Sequence, residues 1–371
     1  MENKNLFIDA RVLCDKYQTG VARYSLSIIK ELMQADINIT LVSNKKILHL
    51  PDRNDGCYLV KEFKYLRWLP GTLFVTLFLP FFLITKKNPV FWGCNHTVPI
   101  FGAKTIVTIH DMVAYDLPKT FTFINRASVK FSIRLSLIYS TYVTAVSNFT
   151  KNRIIDKFKF KKGKIAIISN GVDNNVFCPI NLNVARSTFN TEQRNVLKLD
   201  QQFILAVGSI EPRKNLLKLV EAFEYVKSKN YNGNLILVGG GGWLSNDLIE
   251  KISESEYRDE IIFSGHISDS ELNSMYNMCD FFVFPSLYEG FGIPPLEAYS
   301  AGANVVCSIY SELYNIVKDP LVTWYDPHQD DLNILLQAAI KNKCSANVHP
   351  KILDCSWKRS CKELLNILNK D

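Results

Sequence analysis

FFVFPSLYEGFGIPPLEAYSAG, residues 281–302, reads as a buried strand, a glycine-rich loop and a helix opened by two prolines. The strand ends at Pro285-Ser286. Gly290 and Gly292 permit a tight loop whose backbone can approach a ligand closely. Pro294 and Pro295, after Ile293, suit the first turn of a helix, where a missing N–H costs nothing. Such a helix start turns unpaired N–H groups and a positive dipole end toward the strand's carboxyl end, a natural diphosphate site. Glu289 lies on the loop and Glu297 in the first helical turns. Ionised carboxylates accept several hydrogen bonds, which suits vicinal hydroxyls of a sugar or ribose. The plain alternative is that Glu297 caps the helix.

Outward from this stretch the pattern repeats. Short Val- and Ile-rich runs alternate with amphipathic segments: strands at 203–209, 234–240, 261–266 and 304–308, and helices at about 214–229, 245–255, 269–278, 294–301 and 329–341. Toward the N-terminus a first series has strands at 6–9, 37–43, 89–93, 105–110, 142–147 and 165–169, with helices at about 21–34, 66–84, 123–139 and 148–158. Continuous apolar strands separated by helices specify a parallel sheet covered on both faces. Residues 173–200 are polar and Asn-rich, and read as a connection with a short helix. The expected fold class is therefore α/β. Two Rossmann-like doubly wound domains, 1–180 and 181–355, are followed by a C-terminal helix, 356–371, that can pack back on the first domain. In such sheets ligands sit beyond the carboxyl ends of the strands, so a cleft between two such domains is the expected site.

A second motif is AVGSIEPRKNLLKLVEAF, residues 206–223. A buried strand runs into Gly208-Ser209, and Arg213 and Lys214 stand where the next helix begins. Cations there oppose the helix dipole. A bound anion would account for them, Arg supplying a planar fork and Lys a point charge; a solvated basic turn is the bland alternative. His110 follows the 105–110 strand. A lone histidine in that place is usually a hydrogen-bonded structural residue, though Asp111 beside it could orient the ring.

Composition bounds the classes. The 371 residues are 47% hydrophobic and 21% charged, as in a globular chain, and exceed one ordinary core. A net charge of +7 suits an anionic partner and is too weak to argue for nucleic acid. The nine cysteines are scattered, without C-x-x-C or zinc spacing, and read as reduced cytosolic thiols. Asp330-Asp331, an adjacent acidic pair, reads as a helix start rather than a metal site. The N-terminus shows no signal-peptide core. Residues 65–85 are nearly all apolar, but Pro70 and Pro80 interrupt them; a buried helix is the plainest reading, with a membrane-surface helix or a membrane span as the others. The run 151–164 holds seven Lys/Arg and one Asp. It reads as a solvated face, or with 65–85 as a surface for an anionic membrane.

Together these motifs resemble the family-4 retaining glycosyltransferases of the GT-B fold. The segments 7–29, 108–121, 144–155, 167–179, 238–243 and 264–286 resemble further signatures of that family, in the right order. The resemblance implies a transferase that uses a nucleotide-diphosphate sugar as co-substrate, with neither cofactor nor metal. Arg213 and Lys214 would hold the diphosphate, Glu297 the ribose, and Glu289 the transferred sugar beside the amides of Phe291, Gly292 and Ile293. The base would lie near His266 and Ile267. Gly20 would let a loop approach the phosphate or the acceptor, and Ser209 occupies a place where some members carry a phosphate-binding Arg. His110 would position the sugar or leaving phosphate rather than act as a general base. Domain closure would bring Gly20 and His110 against Arg213 and Glu289. Asn304 replaces a common Pro, and Tyr314-Asn315 a common Pro-Glu. The EPRKN form and the TIHD segment look most like mannosyltransferases using GDP-mannose. The acceptor would be a glycan, lipid-linked, as in surface-polysaccharide or O-antigen assembly. The protein would then be cytoplasmic, with peripheral contact at the inner face of the cell membrane. A non-catalytic nucleotide-sugar sensor, a GT-B-like epimerase and a phosphorylase are the rivals, the last lacking a pyridoxal-phosphate lysine context.

Overall fold

The computed structural model describes residues 5–52, 58–160, 164–240, 246–342, 350 and 353–370. The chain forms two compact units: Met1–Gly171 with Cys355–Asp371, and Val172–Asp354. The sequence-based boundaries had been 180/181 and 355/356.

Unit one carries a seven-stranded parallel sheet. Its strands are β1 (Asn5–Asp9), β2 (Asn38–Ser43), β3 (Tyr58–Glu62), β4 (Pro89–Gly93), β5 (Lys104–Ile109), β6 (Tyr142–Ala145) and β7 (Ile165–Ile167). They are ordered β3-β2-β1-β4-β5-β6-β7. The register pairs Asn5 with Asn38 on one side and with Pro89 on the other. Thr19, Thr122 and Ser147 cap the helices Gly20–Leu32, Phe123–Tyr139 and Asn148–Phe158, each oxygen accepting a first-turn N–H. The last helix, Trp357–Leu368, is capped by Ser356 and packs on Gly20–Leu32, its Trp357 ring 6.1 Å from that of Tyr24. Ser360 Oγ donates to the Ser169 carbonyl at 2.6 Å, and a Cβ on Gly171 would lie 2.5 Å from the Trp357 nitrogen.

The expected helix at 66–84 is broken. A 3-10 turn (Lys64–Leu66), a helical turn (Gly71–Leu73), a π turn (Phe74–Phe78) and a short helix (Leu79–Leu83) replace it. Pro80 is the cause. It has no N–H for the Thr76 carbonyl; that carbonyl accepts the Ile100 N–H instead, while Leu79 N–H reaches back to Phe74. Phe74, Val75, Leu79 and Leu83 are buried while Leu77, Phe78 and Phe81 are exposed, so the segment is a half-buried face. Among the described residues no helix is long and apolar enough to cross a membrane.

Unit two carries β8 (Phe203–Val207), β9 (Asn234–Val238), β10 (Ile261–Gly265), β11 (Phe281–Phe284), β12 (Val305–Ser308) and β13 (Val322–Tyr325). Their order is β10-β9-β8-β11-β12-β13, all parallel. β9, β11 and β12 are buried along their whole length. The helices Leu216–Lys227 and Leu332–Lys341 cover one face, where Leu219, Phe223, Leu332 and Leu336 are fully buried against Ile204 and Leu235. Each such side chain contributes about 1.5–3 kcal/mol by leaving water. Two capped helices, Leu182–Ser187 and Thr191–Val196, occupy the connection where one had been expected. Two sheet-edge strands, β3 and β13, were not foreseen.

Candidate functional site

In each sheet the strand order reverses at one place, and a doubly wound sheet binds ligands at the carboxyl side of that reversal. In unit two the reversal lies between β8 and β11. The two segments that leave those strands are residues 208–214 and 285–292.

Gly208 has φ +152° and Gly239 φ +139°; a Cβ on Gly239 would come within 2.1 Å of the Gly208 carbonyl oxygen. This close backbone crossing lets the chain turn at Ser209 and sends Lys214 back beneath it, its Cε 3.2 Å from where a Gly208 Cβ would stand. Arg213 and Lys214 belong to a 3-10 turn, Pro212–Lys214, and Asn215 at φ +56° starts the following helix. They are therefore not first-turn cations opposing a long helix, as the sequence suggested. Nor is the turn solvated: Lys214 is 8% exposed.

Glu289 binds both cations. Its Oε1 accepts from Lys214 Nζ at 2.7 Å, and its Oε2 lies 2.8 Å from Arg213 Nη1. Arg213 Nη2 meets Glu211 Oε1 at 2.6 Å, and Ser209 Oγ donates to that same oxygen at 2.7 Å. The Lys214 ammonium also lies 4.7 Å from the centre of the Phe284 ring. Burial pushes the Glu289 carboxyl up, but Arg213 and Lys214 overcome it and hold it down at about 2. Burial, then Arg213, lowers the Lys214 ammonium, and Glu289 acts upward. Two cations and two carboxylates thus balance here, Lys214 and Glu289 buried and Arg213 and Glu211 part-buried. Buried ion pairs seldom improve on apolar packing, so this cluster is better explained by ligand chemistry than by stability.

The loop beside it continues into the helix Ile293–Ser300. Gly292, at φ +88°, is its N-cap and supplies no side-chain bond. Pro294 and Pro295 have no N–H, so the first turn presents fewer amides than expected: Ile293, with Gly292 and Phe291 before it. The Phe291 carbonyl takes the Glu312 N–H at 2.8 Å. Glu297 is not a cap. It is buried, and Tyr276 Oη donates to its Oε2 at 3.4 Å. His266 and Ile267 follow β10, where the Gly240 backbone approaches the imidazole so closely that a Cβ would lie 2.4 Å from Nε2. Of VGGGGW, residues 241–243 lie outside the described residues.

Unit one places Gly20 and His110 near one another. Tyr24, one turn after Gly20, stacks edge-on against the His110 ring at 4.9 Å. His110 Nε2 lies 2.8 Å from the Cys94 carbonyl, which can only accept, so Nε2 carries the proton and Nδ1 the lone pair. Burial lowers this imidazole to about 4. Asp111 Oδ1 accepts the Val113 N–H at 3.0 Å. Residues the sequence did not single out complete this mouth. Asp9 ends β1 and is gripped by Arg11 at 2.6 Å, and both bond Thr97 Oγ1. His96, at φ +40°, is lowered to about 4 by burial, then by Arg11 and His110. An Asp at the end of the first apolar strand was the available signal.

Asp331 is the N-cap of Leu332–Lys341, and Asp330 accepts the Asp326 N–H. In the basic run, Arg153 is paired with Asp116, and residues 161–163 lie outside the described residues. The described cysteines are free thiols.

The family model described as Glycosyltransferase Family 4 matches residues 18–176, and that described as Glycosyl transferases group 1 matches 188–349. O-antigen chain mannosyltransferase B of Escherichia coli is 28% identical over 278 residues, 73% of this chain and 67% of that protein. O-antigen chain mannosyltransferase RfbU of Salmonella typhimurium is 28% identical over 67% of this chain and 63% of its own length. The chain therefore spans under two thirds of the latter relative. Among solved structures, Anabaena HepE in complex with UDP and glucose superposes with TM-score 0.69 at 16% identity, each chain covered in full. WaaG, a glycosyltransferase involved in lipopolysaccharide biosynthesis, gives 0.66 at 14% identity over 99% of this chain and 96% of that one. These likenesses show a GT-B fold.

Proposed function

We propose, from the premise that the chain belongs to the family-4 and group 1 glycosyltransferases, that it transfers mannose from GDP-mannose to a lipid-linked glycan with retention of the anomeric configuration. The setting is surface-polysaccharide or O-antigen assembly at the cytoplasmic face of a membrane. The observation that carries the reading is the Arg213–Lys214–Glu289 cluster at the β8/β11 reversal, with Lys214 and Glu289 buried. Supporting the sugar and the pathway are relatives named as O-antigen chain mannosyltransferases.

As the glycosidic bond to the diphosphate lengthens, negative charge grows on the leaving group. Arg213 and Lys214 stabilise it, with the amides of Phe291, Gly292 and Ile293 as further donors. Glu289 then exchanges part of its hold on the cations for the hydroxyls of the sugar, and Glu297 takes the ribose diol. His110, neutral and with Nδ1 as its lone-pair atom, accepts from a sugar hydroxyl. At about 4 it is too weakly basic to take the acceptor proton at neutral pH. The departing phosphate oxygen takes that proton instead, on the same face that the acceptor attacks. The reaction needs no metal in this reading, and full transfer in excess EDTA is expected.

The test is transfer and thermal shift against GDP-mannose, UDP-glucose and UDP-N-acetylhexosamines, since a ligand that binds only the folded state raises its melting temperature. A response to UDP-sugars alone would replace the donor. Donor consumed with epimer formed and no glycoside made would replace the reaction.

A further inference from the structure

We propose that one face of unit one, built from the 71–84 segment and the Phe123–Tyr139 helix, docks in the plane of an anionic lipid bilayer. The 71–84 segment is apolar on both sides. Its inner side fills the core, and its outer side exposes Leu77, Phe78, Phe81 and Ile84, with Phe81 63% exposed. A helical segment hydrophobic all round is normally covered on all sides. The Phe123–Tyr139 helix shows the same habit. Ile124, Phe131 and Ile138 recur at seven-residue intervals, hence on one stripe, and Ile124 and Ile138 are 78% and 71% exposed. Thr72 Oγ1 and Ser132 Oγ are 3.4 Å apart, so the two elements lie side by side.

Charge selects the occupant. No Asp or Glu occurs between residues 63 and 110 or within the Phe123–Tyr139 helix. Lys86, Lys87 and Arg134 are exposed beside the apolar residues, and Tyr65 and Trp68 share a hollow with Lys45, Lys46, Lys64 and Arg67. Glu62 answers Lys64 at 2.8 Å, but a second copy placed on the 71–87 and Phe123–Tyr139 face by two-fold symmetry would set Lys86, Lys87 and Arg134 against bases, with no carboxylate of those two segments to answer them. Anionic headgroups over acyl chains answer both features: interfacial aromatic and aliphatic side chains enter the headgroup boundary, and lysines and arginines meet the surface charge. The docking itself requires nothing of the transfer reaction. Only its use, bringing a lipid-linked acceptor within reach, rests on the function proposed above.

The test is co-sedimentation of the full chain with phosphatidylcholine vesicles, with and without phosphatidylglycerol. The wild-type chain should sediment with the anionic vesicles and be released by salt. The F81D/F131D variant should partition about tenfold or more weakly, with its melting temperature and its nucleotide-induced shift unchanged. K86E/K87E, which reverses two exposed charges, should lose about fivefold or more. Wild-type protein left in the supernatant at low salt would overturn the proposal, as would wild-type partitioning by both variants, or a dimer in sedimentation velocity that these substitutions dissociate. Vesicle binding without transfer from any donor would leave the docking standing and count against the enzymatic reading.

Discussion

The two units share a parallel topology and place their polar groups at the same topological position, yet the chemistry there differs. Unit two keeps paired charge at its strand reversal, as two cations held by two carboxylates in a largely buried cluster. Unit one keeps two neutral imidazoles and one closed pair, Asp9 with Arg11. The topology therefore fixes where a ligand can sit, and the residues leaving the strands decide what it is. Exchangeable cations suit a diphosphate that gains charge in the transition state. A neutral imidazole suits a hydroxyl whose charge barely changes.

The largest effect expected from breaking this contrast is on rate. K214A and E289A should each lower kcat by ~10²-fold or more, the scale of losing a charge stabiliser in a water-poor site. E289A should also melt earlier, because it leaves Lys214 buried without its carboxylate, a loss of about 3–5 kcal/mol. The double variant K214M/E289L separates the two roles. Its melting temperature should recover toward wild type while transfer stays abolished. Stability and rate recovering together would make the cluster a structural ion pair.

A second large effect belongs to the backbone beneath the cluster. At Gly239 an added Cβ meets the Gly208 carbonyl oxygen at 2.1 Å, with φ at +139°. G239A should cost more than about 2 kcal/mol in denaturant unfolding. A smaller loss would mean that the 208–210 turn can shift without harm, and that the cluster above it is less rigidly placed than its geometry implies.

How much of this was legible beforehand follows from the physics of each part. β9 and β11 were readable because strands buried on both faces are continuous apolar runs. β3 and β13 were not: YLVKE and VTWY are short edge strands, the first alternately exposed and the second only part-buried at its middle, without such a run. Pro80 was visible, but not that the helix would absorb it through a π turn with Ile100 supplying the missing donor. Arg213, Lys214 and Glu289 could be chosen by residue type and flanking glycines. Their mutual pairing across 75 positions could not, because only the reversal between β8 and β11 brings those loops together. Asp9, Arg11 and His96 were missed for the converse reason. Each is ordinary alone, and the meaning lies in their meeting at the end of β1 and β4.

Acid should reach the two units in different pH windows. His96 and His110 are lowered from 6.5 to about 4, so between those values the unfolded chain binds protons that the folded unit one refuses. Stability on these groups is complete above pH 6.5 and falls as pH drops toward 4. Glu289 is lowered from 4.5 to about 2; it stabilises above pH 4.5 and loses that contribution only as pH falls toward 2. Calorimetric melts at stepped pH should therefore show unit one weakening first, and H110Q should flatten part of that slope. A melting temperature constant from pH 6.5 to 4 would mean that the imidazoles are not held neutral.

The smallest expected effect is the most discriminating. Gly20, unlike Gly239, is exposed, opens its helix after the Thr19 cap, and would give an added Cβ nothing within 4 Å. Its missing side chain is thus not required by the fold. G20A should leave the melting temperature unchanged or raise it slightly, since Ala costs less helix entropy than Gly by up to about 1 kcal/mol. If a phosphate or acceptor approaches that backbone, the same substitution should raise a KM several-fold with the fold intact, and the substrate whose KM moves identifies the visitor. Unchanged kinetics toward both substrates would remove Gly20 from the site and leave the unit-one mouth to His110 and its neighbours.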